Sequence, residues 1–190
     1  KEYEEFFAVE MKNAPPDYRI ASPEAVYVSD EGWEFHLQMR KKLVEKGWLA
    51  MAWPKEYGGR DAPIMEQLIF SEVQSYYNAP GIDRFGLHMF APTLMLFANE
   101  EQKKRLLPPI AHGEVNYCQG WSEPNAGSDL ASLETTATKD GDEYVVSGQK
   151  VWTTGAHRAD HMFLLARTNP EEKRGKGLSV FNVDMTLPGI

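Results

Sequence analysis

Trp121-Ser122-Glu123-Pro124-Asn125-Ala126-Gly127-Ser128-Asp129 is the stretch that divides this chain. It follows an apolar and aromatic run, Val115-Asn116-Tyr117-Cys118-Gln119-Gly120, and its proline and Asn-Ala-Gly-Ser-Asp tail cannot continue a strand. The chain must therefore leave a sheet there and lay out backbone N–H groups and two hydroxyls along a loop. Before it the apolar residues recur with a helical period; after it the pattern is that of strands. A second aromatic and hydroxyl cluster, Trp152-Thr153-Thr154, follows.

Working outward toward the C-terminus, segments 115–120, 133–139, 143–147, 149–153, 161–167 and 178–185 are rich in Val, Thr, Tyr, Phe and Leu. Turn chemistry such as Asp140-Gly141-Asp142 and Arg174-Gly175-Lys176-Gly177 lies between several of them. Six strands are predicted, in a unit of sandwich or barrel type, with a hairpin at Asp140-Gly141.

Toward the N-terminus, Tyr3, Phe6, Phe7 and Met11 mark a docking helix ended by Asn13-Ala14-Pro15-Pro16, and 17–29 reads as a loop, with or without a helical turn in it. Trp33, Leu37 and Val44 mark a second helix from Asp30, with Arg40, Lys41 and Lys42 near its end and Gly47 to stop it. Trp48 and Trp53 are expected to wedge between helices. A third helix starts near Pro63, with Ile64, Leu68, Ile69, Val73 and Tyr76 as its apolar side. The run from Leu87 to Ala98 is apolar nearly all round, which predicts a helix buried on most faces or lining an apolar cavity. Asn99-Glu100-Glu101-Gln102 has the form of a capping box, Lys103 to Arg105 suit a helix C-terminus, and Pro108-Pro109 is expected to close the helical part.

With 190 residues, 42% of them hydrophobic, the chain can bury a sizeable core, and its net charge of −8 argues against nucleic-acid binding. The single cysteine, Cys118, allows no internal disulfide and reads as a small core hydrophobe. No apolar run is long enough to span a bilayer. His157 and His161 stand four apart in a loop rather than on a helix, so no metal site is expected. There is no Gly-x-Gly-x-x-Gly after a strand, so a dinucleotide would have to lie on the β part.

Gly120 to Asp129, together with Gly148-Gln149-Lys150-Val151-Trp152-Thr153-Thr154 and the lead-in Asp140-Gly141-Asp142-Glu143-Tyr144, resembles the acyl-CoA dehydrogenase flavoproteins. Trp53-Pro54-Lys55-Glu56-Tyr57-Gly58-Gly59, Glu100-Glu101-Gln102-Lys103 and Phe163-Leu164-Leu165-Ala166-Arg167-Thr168 extend the likeness along the chain. The expected fold class is α+β multidomain: an all-α domain over 1–112, then a β-barrel or sandwich-like domain over 113–190. The resemblance implies a further C-terminal helical bundle that this chain lacks, and with it the glutamate that serves as base in relatives, so the fragment alone is expected to be inactive.

The resemblance further implies FAD-dependent α,β-dehydrogenation of an acyl-CoA, with electrons passing to an electron-transfer flavoprotein or similar acceptor. It implies a homo- or hetero-oligomer, a dimer or tetramer, in a bacterial cytoplasm or mitochondrial matrix. Carried over position by position, Gln119, Gly120, Trp121 and Ser122 run along the flavin edge. Gly127 and Ser128 border the cofactor, Ser128 also meeting the CoA portion. Trp152 packs on the flavin with Thr153 beside it, and Thr154 places its hydroxyl near N5. Phe90 and Leu94 would border the acyl pocket. The family often has threonine at Ser122 and tyrosine at Gln119; the Gln-Gly-Trp-Ser version resembles a subgroup handling bulky chains, including sterol side chains. Glu123, ahead of a proline, reads as a structural carboxylate. The alternatives are an oxidase-type relative and a non-catalytic partner subunit of a heteromeric enzyme.

Overall fold

The computed structural model describes residues 1–19, 26–172 and 174–190. Two compact units make up the chain, Lys1–Glu114 and Val115–Ile190. The first is helical and the second is built on a sheet, as the sequence pattern predicts.

The helical unit runs α1 (Glu2–Glu10), α2 (Asp30–Glu45), α3 (Ile64–Tyr76), α4 (Ala91–Phe97) and α5 (Glu100–Ala111). Of the expected loop over 17–29, the first part is a 3-10 turn, Pro16–Arg19, and residues 20–25 lie outside the described ones. Ser29 caps α2, its hydroxyl accepting the Gly32 N–H at 3.0 Å. Trp48 does wedge between helices: its ring centroid lies 4.7 Å from that of Tyr3 and 5.2 Å from that of Phe6, both on α1, and 6.2 Å from that of Phe70 on α3. The contacts with Tyr3 and Phe6 are edge-to-face, the arrangement aromatic quadrupoles favour.

Trp53 is held by a different device. The turn before α4 is a π-turn, Gly86–Phe90, in which the Ala91 N–H reaches back to the Gly86 carbonyl. In that register the Leu87 carbonyl would accept from residue 92, but Pro92 has no N–H. The Trp53 indole N–H takes its place, donating to the Leu87 carbonyl at 3.2 Å.

In this unit the structure settles one open point and corrects three readings. The apolar side of α3 faces outward: Ile64, Leu68, Ile69 and Tyr76 are exposed, and the helix buries Phe70 instead. The α4 run is not buried all round, since Leu96 and Phe97 are exposed. Arg40 is not a helix-end cation; it turns into the core and donates through Nε to the Gly81 carbonyl at 3.1 Å. On α5 the capping box forms in both directions, Gln102 N–H to the Asn99 side chain at 2.9 Å and Asn99 N–H to the Gln102 side chain at 3.0 Å. The helix nevertheless continues through Pro108 and Pro109 to Ala111, which leaves Lys103, Lys104 and Arg105 in its middle. The two prolines forfeit bonds only to the carbonyls of Lys104 and Arg105, both exposed residues near the helix end, so one more turn can form.

The β unit is one mixed sheet of five strands: β1 (Tyr117–Gly120), β2 (Thr136–Asp140), β3 (Glu143–Ser147), β4 (His161–Arg167) and β5 (Leu178–Asp184). Antiparallel β5 covers one edge of β4 from His161 to Arg167. The opposite edge is shared, with β1 parallel to residues 161–164 and β2 touching it through the Thr136–Arg167 pair. β2 and β3 form the expected hairpin, Asp140 facing Glu143. Ala137, Leu164 and Ala166 form the core of one face, with Met162, Phe181 and Val183 against them.

The expected strand over 149–153 is absent, and the strand expected over 133–139 begins at Thr136. In both places a backbone N–H needed for a ladder is used elsewhere. Glu134 and Thr135 donate to the Glu123 carboxylate, and Val151 donates to the Ser122 carbonyl.

Candidate functional site

β1 ends at Gly120, and the next residues fold back on themselves. Glu123 N–H donates to the Ala126 carbonyl at 2.8 Å and Ala126 N–H to the Glu123 carbonyl at 3.1 Å, closing the turn around Pro124-Asn125. Gly127 and Ser128 follow in the open, and a Cβ added at Gly127 would meet nothing within 4 Å. The second predicted cluster is brought beside this turn. Val151 N–H donates to the Ser122 carbonyl at 2.9 Å, and the Lys150 ammonium donates to the Trp121 carbonyl at 3.0 Å. Gln119, Gly120, Trp121 and Ser122 thus belong to one loop root and Trp152, Thr153 and Thr154 to the loop bonded to it.

Trp121 packs edge-on against Phe163 of β4, centroids 5.1 Å apart, and its buried indole N–H has no acceptor among the described residues. Trp152 is the opposite case. Its backbone is left-handed, φ +58°, and its side chain is 90% exposed. A bulky residue rarely adopts that conformation, and an unburied tryptophan gains nothing from the hydrophobic effect to offset it. Thr154 N–H donates to the Trp152 carbonyl at 3.0 Å, so the strained turn stands out as a unit. A planar heteroaromatic group fits this donor set: an aromatic face at Trp152, an unmet N–H at Trp121, and hydroxyls at Ser122 and Thr154.

Phe90 and Leu94 sit in the core of the helical unit, 1% and 8% exposed. The parts of that helix open to solvent are Leu96 and Phe97.

Glu123 is structural, as its place before a proline implies. Its carboxylate accepts from Glu134 N–H at 2.6 Å, Thr135 N–H at 2.9 Å and Lys150 Nζ at 2.8 Å. Burial pushes its pKa up, but the Glu134 N–H, the Lys150 ammonium and Thr135 together outweigh that and hold it at about 2. Burial lowers the pKa of Lys150, against the pull of Glu123. A carboxylate so engaged cannot serve as a proton acceptor. Lys150 has no role assigned from the sequence alone. The usable signal was a lone lysine inside an otherwise uncharged run, Gly148 to Ala156.

Because the folded pKa of Glu123 lies below its ordinary 4.5, its contribution to stability is full above about pH 4.5 and is lost as pH falls toward 2. The difference in unfolding free energy between the wild type and Glu123→Gln should shrink by about 3 kcal/mol over that window. Urea denaturation at pH 6 and pH 2.5 checks this, and a difference independent of pH would contradict the burial and bonding described for Glu123.

Sequence and structure comparisons agree on one family. Residues 19–114 match the family model for the acyl-CoA dehydrogenase N-terminal domain, and residues 118–190 that for the middle domain. Acyl-CoA dehydrogenase FadE26 of Mycobacterium tuberculosis is 47% identical over 147 residues, 76% of this chain and 36% of that protein. The steroid acyl-CoA dehydrogenase Tcur3481-Tcur3483 superposes with a TM-score of 0.86 at 37% identity, covering 99% of this chain and 48% of its own. The ChsE4-ChsE5 complex of Mycobacterium tuberculosis gives 0.81 at 42% identity, covering 97% of this chain and 45% of its own. The chain therefore spans less than half the length of these relatives.

Proposed function

The chain belongs to the acyl-CoA dehydrogenase family, and on that premise we propose that the protein carrying it dehydrogenates the α and β carbons of an acyl-CoA thioester, with FAD held on the β unit. The observation that carries the cofactor reading is Trp152, left-handed and 90% exposed beside the Ser122 loop. Bound FAD would supply the hydride acceptor. The chain's own residues orient it: Trp152 offers a ring face, and Ser122, Thr153, Thr154 and the backbone of 119–122 offer hydrogen bonds around the rim. Gly127 and Ser128 form a turn of small residues that lets the CoA portion approach the backbone. Glu123 is committed to its three donors and supplies no base.

Trp152→Ala should leave the fold intact, since little of the side chain is buried, and weaken FAD binding at least about 10-fold, the usual order for loss of one aromatic stacking partner of a heteroaromatic ring. Fluorescence titration of FAD reads this directly. Equal affinity in the wild type and the variant would take Trp152 out of the site.

The substrate we propose is a bulky acyl-CoA of the steroid side-chain type. Its support is the 37% identity to a protein described as a steroid acyl-CoA dehydrogenase. The deciding experiment is turnover by the full-length protein across straight, branched and steroid-side-chain acyl-CoAs, with the free acids as controls and with oxygen or an artificial dye as acceptor. Preference for the steroid-type thioester and the dye is expected. Equal turnover of free acids would end the CoA assignment, and preference for oxygen would favour the oxidase-type alternative. A second reading, one subunit of a two-component dehydrogenase, draws support from the paired names of those two solved relatives and from exposed Ile64, Leu68 and Tyr76 on α3.

A further inference from the structure

We propose that Lys150 and Glu123 are the positioning residues of the cofactor site: their buried ion pair sets the relative placement of the Trp121 and Trp152 loops and thereby holds Trp152 in its left-handed conformation. The inference rests on the reading of these loops as an FAD site. The two side chains are 8% and 7% exposed and 2.8 Å apart. Through them three separate segments meet. The Lys150 ammonium also holds the Trp121 carbonyl at 3.0 Å, and the Glu123 carboxylate collects the N–H groups of Glu134 and Thr135, which lead into β2.

Among the described residues, bonds from the Lys150 ammonium and the bond from Val151 N–H to the Ser122 carbonyl join the Trp121 loop directly to the Trp152 loop. Lys150 and Val151 are also the two residues immediately before Trp152. A non-glycine backbone at φ +58° persists only where its surroundings over-determine it, and here its anchored neighbours are the over-determining element. An apolar pair of similar volume could match the ion pair in stability, because the attraction of two buried charges is largely offset by their desolvation. It could not reproduce directed bonds to a particular carbonyl and two particular N–H groups. The pair therefore fixes geometry, and replacing both partners together should show in ligand affinity more than in folding.

The test uses the full-length protein, with Lys150→Met, Lys150→Arg, Glu123→Gln and the double Glu123→Gln/Lys150→Met variant. FAD affinity is measured by fluorescence titration at a temperature where each variant keeps the wild-type far-ultraviolet circular dichroism. The surroundings of the Trp152 ring, which move with its backbone, are followed without flavin by fluorine NMR of 5-fluorotryptophan-labelled protein, its signal assigned with Trp152→Phe. Lys150→Met is expected to weaken FAD binding about 10-fold or more and to shift the Trp152 signal, the scale of releasing one strained backbone conformation. Lys150→Arg should recover part of both. The double variant, with no charge left unpaired, should regain stability while its affinity stays low. Wild-type affinity and an unmoved Trp152 signal in Lys150→Met would overturn the inference, as would a double variant that regains affinity along with stability. Failure of the wild type itself to bind FAD would instead defeat the cofactor reading.

Discussion

Gly148→Ala is expected to destabilise the β unit by about 3 kcal/mol, the upper part of the usual range for overpacking. A Cβ at Gly148 would lie 2.3 Å from the Thr135 hydroxyl oxygen, 2.6 Å from its Cβ and 2.7 Å from its Cα. The last two atoms cannot be moved by rotating a side chain, so the β2 lead-in or the loop after β3 must shift. Thr135 is 3% exposed and has no room to retreat. Its N–H also holds Glu123, so the shift is transmitted to the carboxylate that organises the candidate site. Gly175→Ala provides the control, because a Cβ there meets nothing within 4 Å among the described residues, and it should change stability by less than about 0.5 kcal/mol. Urea denaturation followed by tryptophan emission compares the two variants. Equal, small effects would mean that the approach of Gly148 to Thr135 is not a tight one.

Thr154→Val should slow reduction of bound flavin by acyl-CoA about 100-fold, the loss expected when one well-placed hydrogen-bond donor to developing charge is removed. The side chain is exposed, and its hydroxyl makes no hydrogen bond with the described residues. The turn that presents it is built from backbone groups, Thr154 N–H to the Trp152 carbonyl at 3.0 Å and Ala156 N–H to the Thr153 carbonyl at 3.2 Å. Valine retains the side-chain shape and leaves those bonds alone. Stability should therefore change little while the visible flavin spectrum and the single-turnover rate both change. A variant that matches wild type in spectrum and rate would remove Thr154 from the site.

Local chemistry was readable wherever the deciding partners lie a few residues apart. The capping box at Asn99 and Gln102, the stop at Gly47 and the hairpin at Gly141 each need only near neighbours, and each is found. The misreadings share a non-local cause. Residues 133–135 have strand-like composition, but the N–H groups of Glu134 and Thr135 are claimed by a carboxylate more than ten positions earlier. The stripe Ile64 to Tyr76 has helical spacing, yet spacing alone does not say which side of a helix packs inward; the aromatic cluster around Phe70 decided it. In the site, the two loops were legible from their hydroxyls and aromatics. The ion pair that ties them was not, because Glu123 and Lys150 are 27 residues apart.

The way β4 is shared has a consequence for biosynthesis. Tyr117 of β1 pairs with His161, and Thr136 of β2 with Arg167, so neither strand can join the sheet until β4 has left the ribosome. The β2–β3 hairpin is local and can form alone, but β1, from which the Trp121 loop springs, must wait through more than 40 residues of further synthesis. During that interval the two candidate cofactor loops have emerged and the sheet beneath them has not. Loading of the proposed flavin therefore belongs to the end of translation of this unit, and a nascent chain stalled before His161 should fail to retain FAD while one extended past Asp184 acquires it.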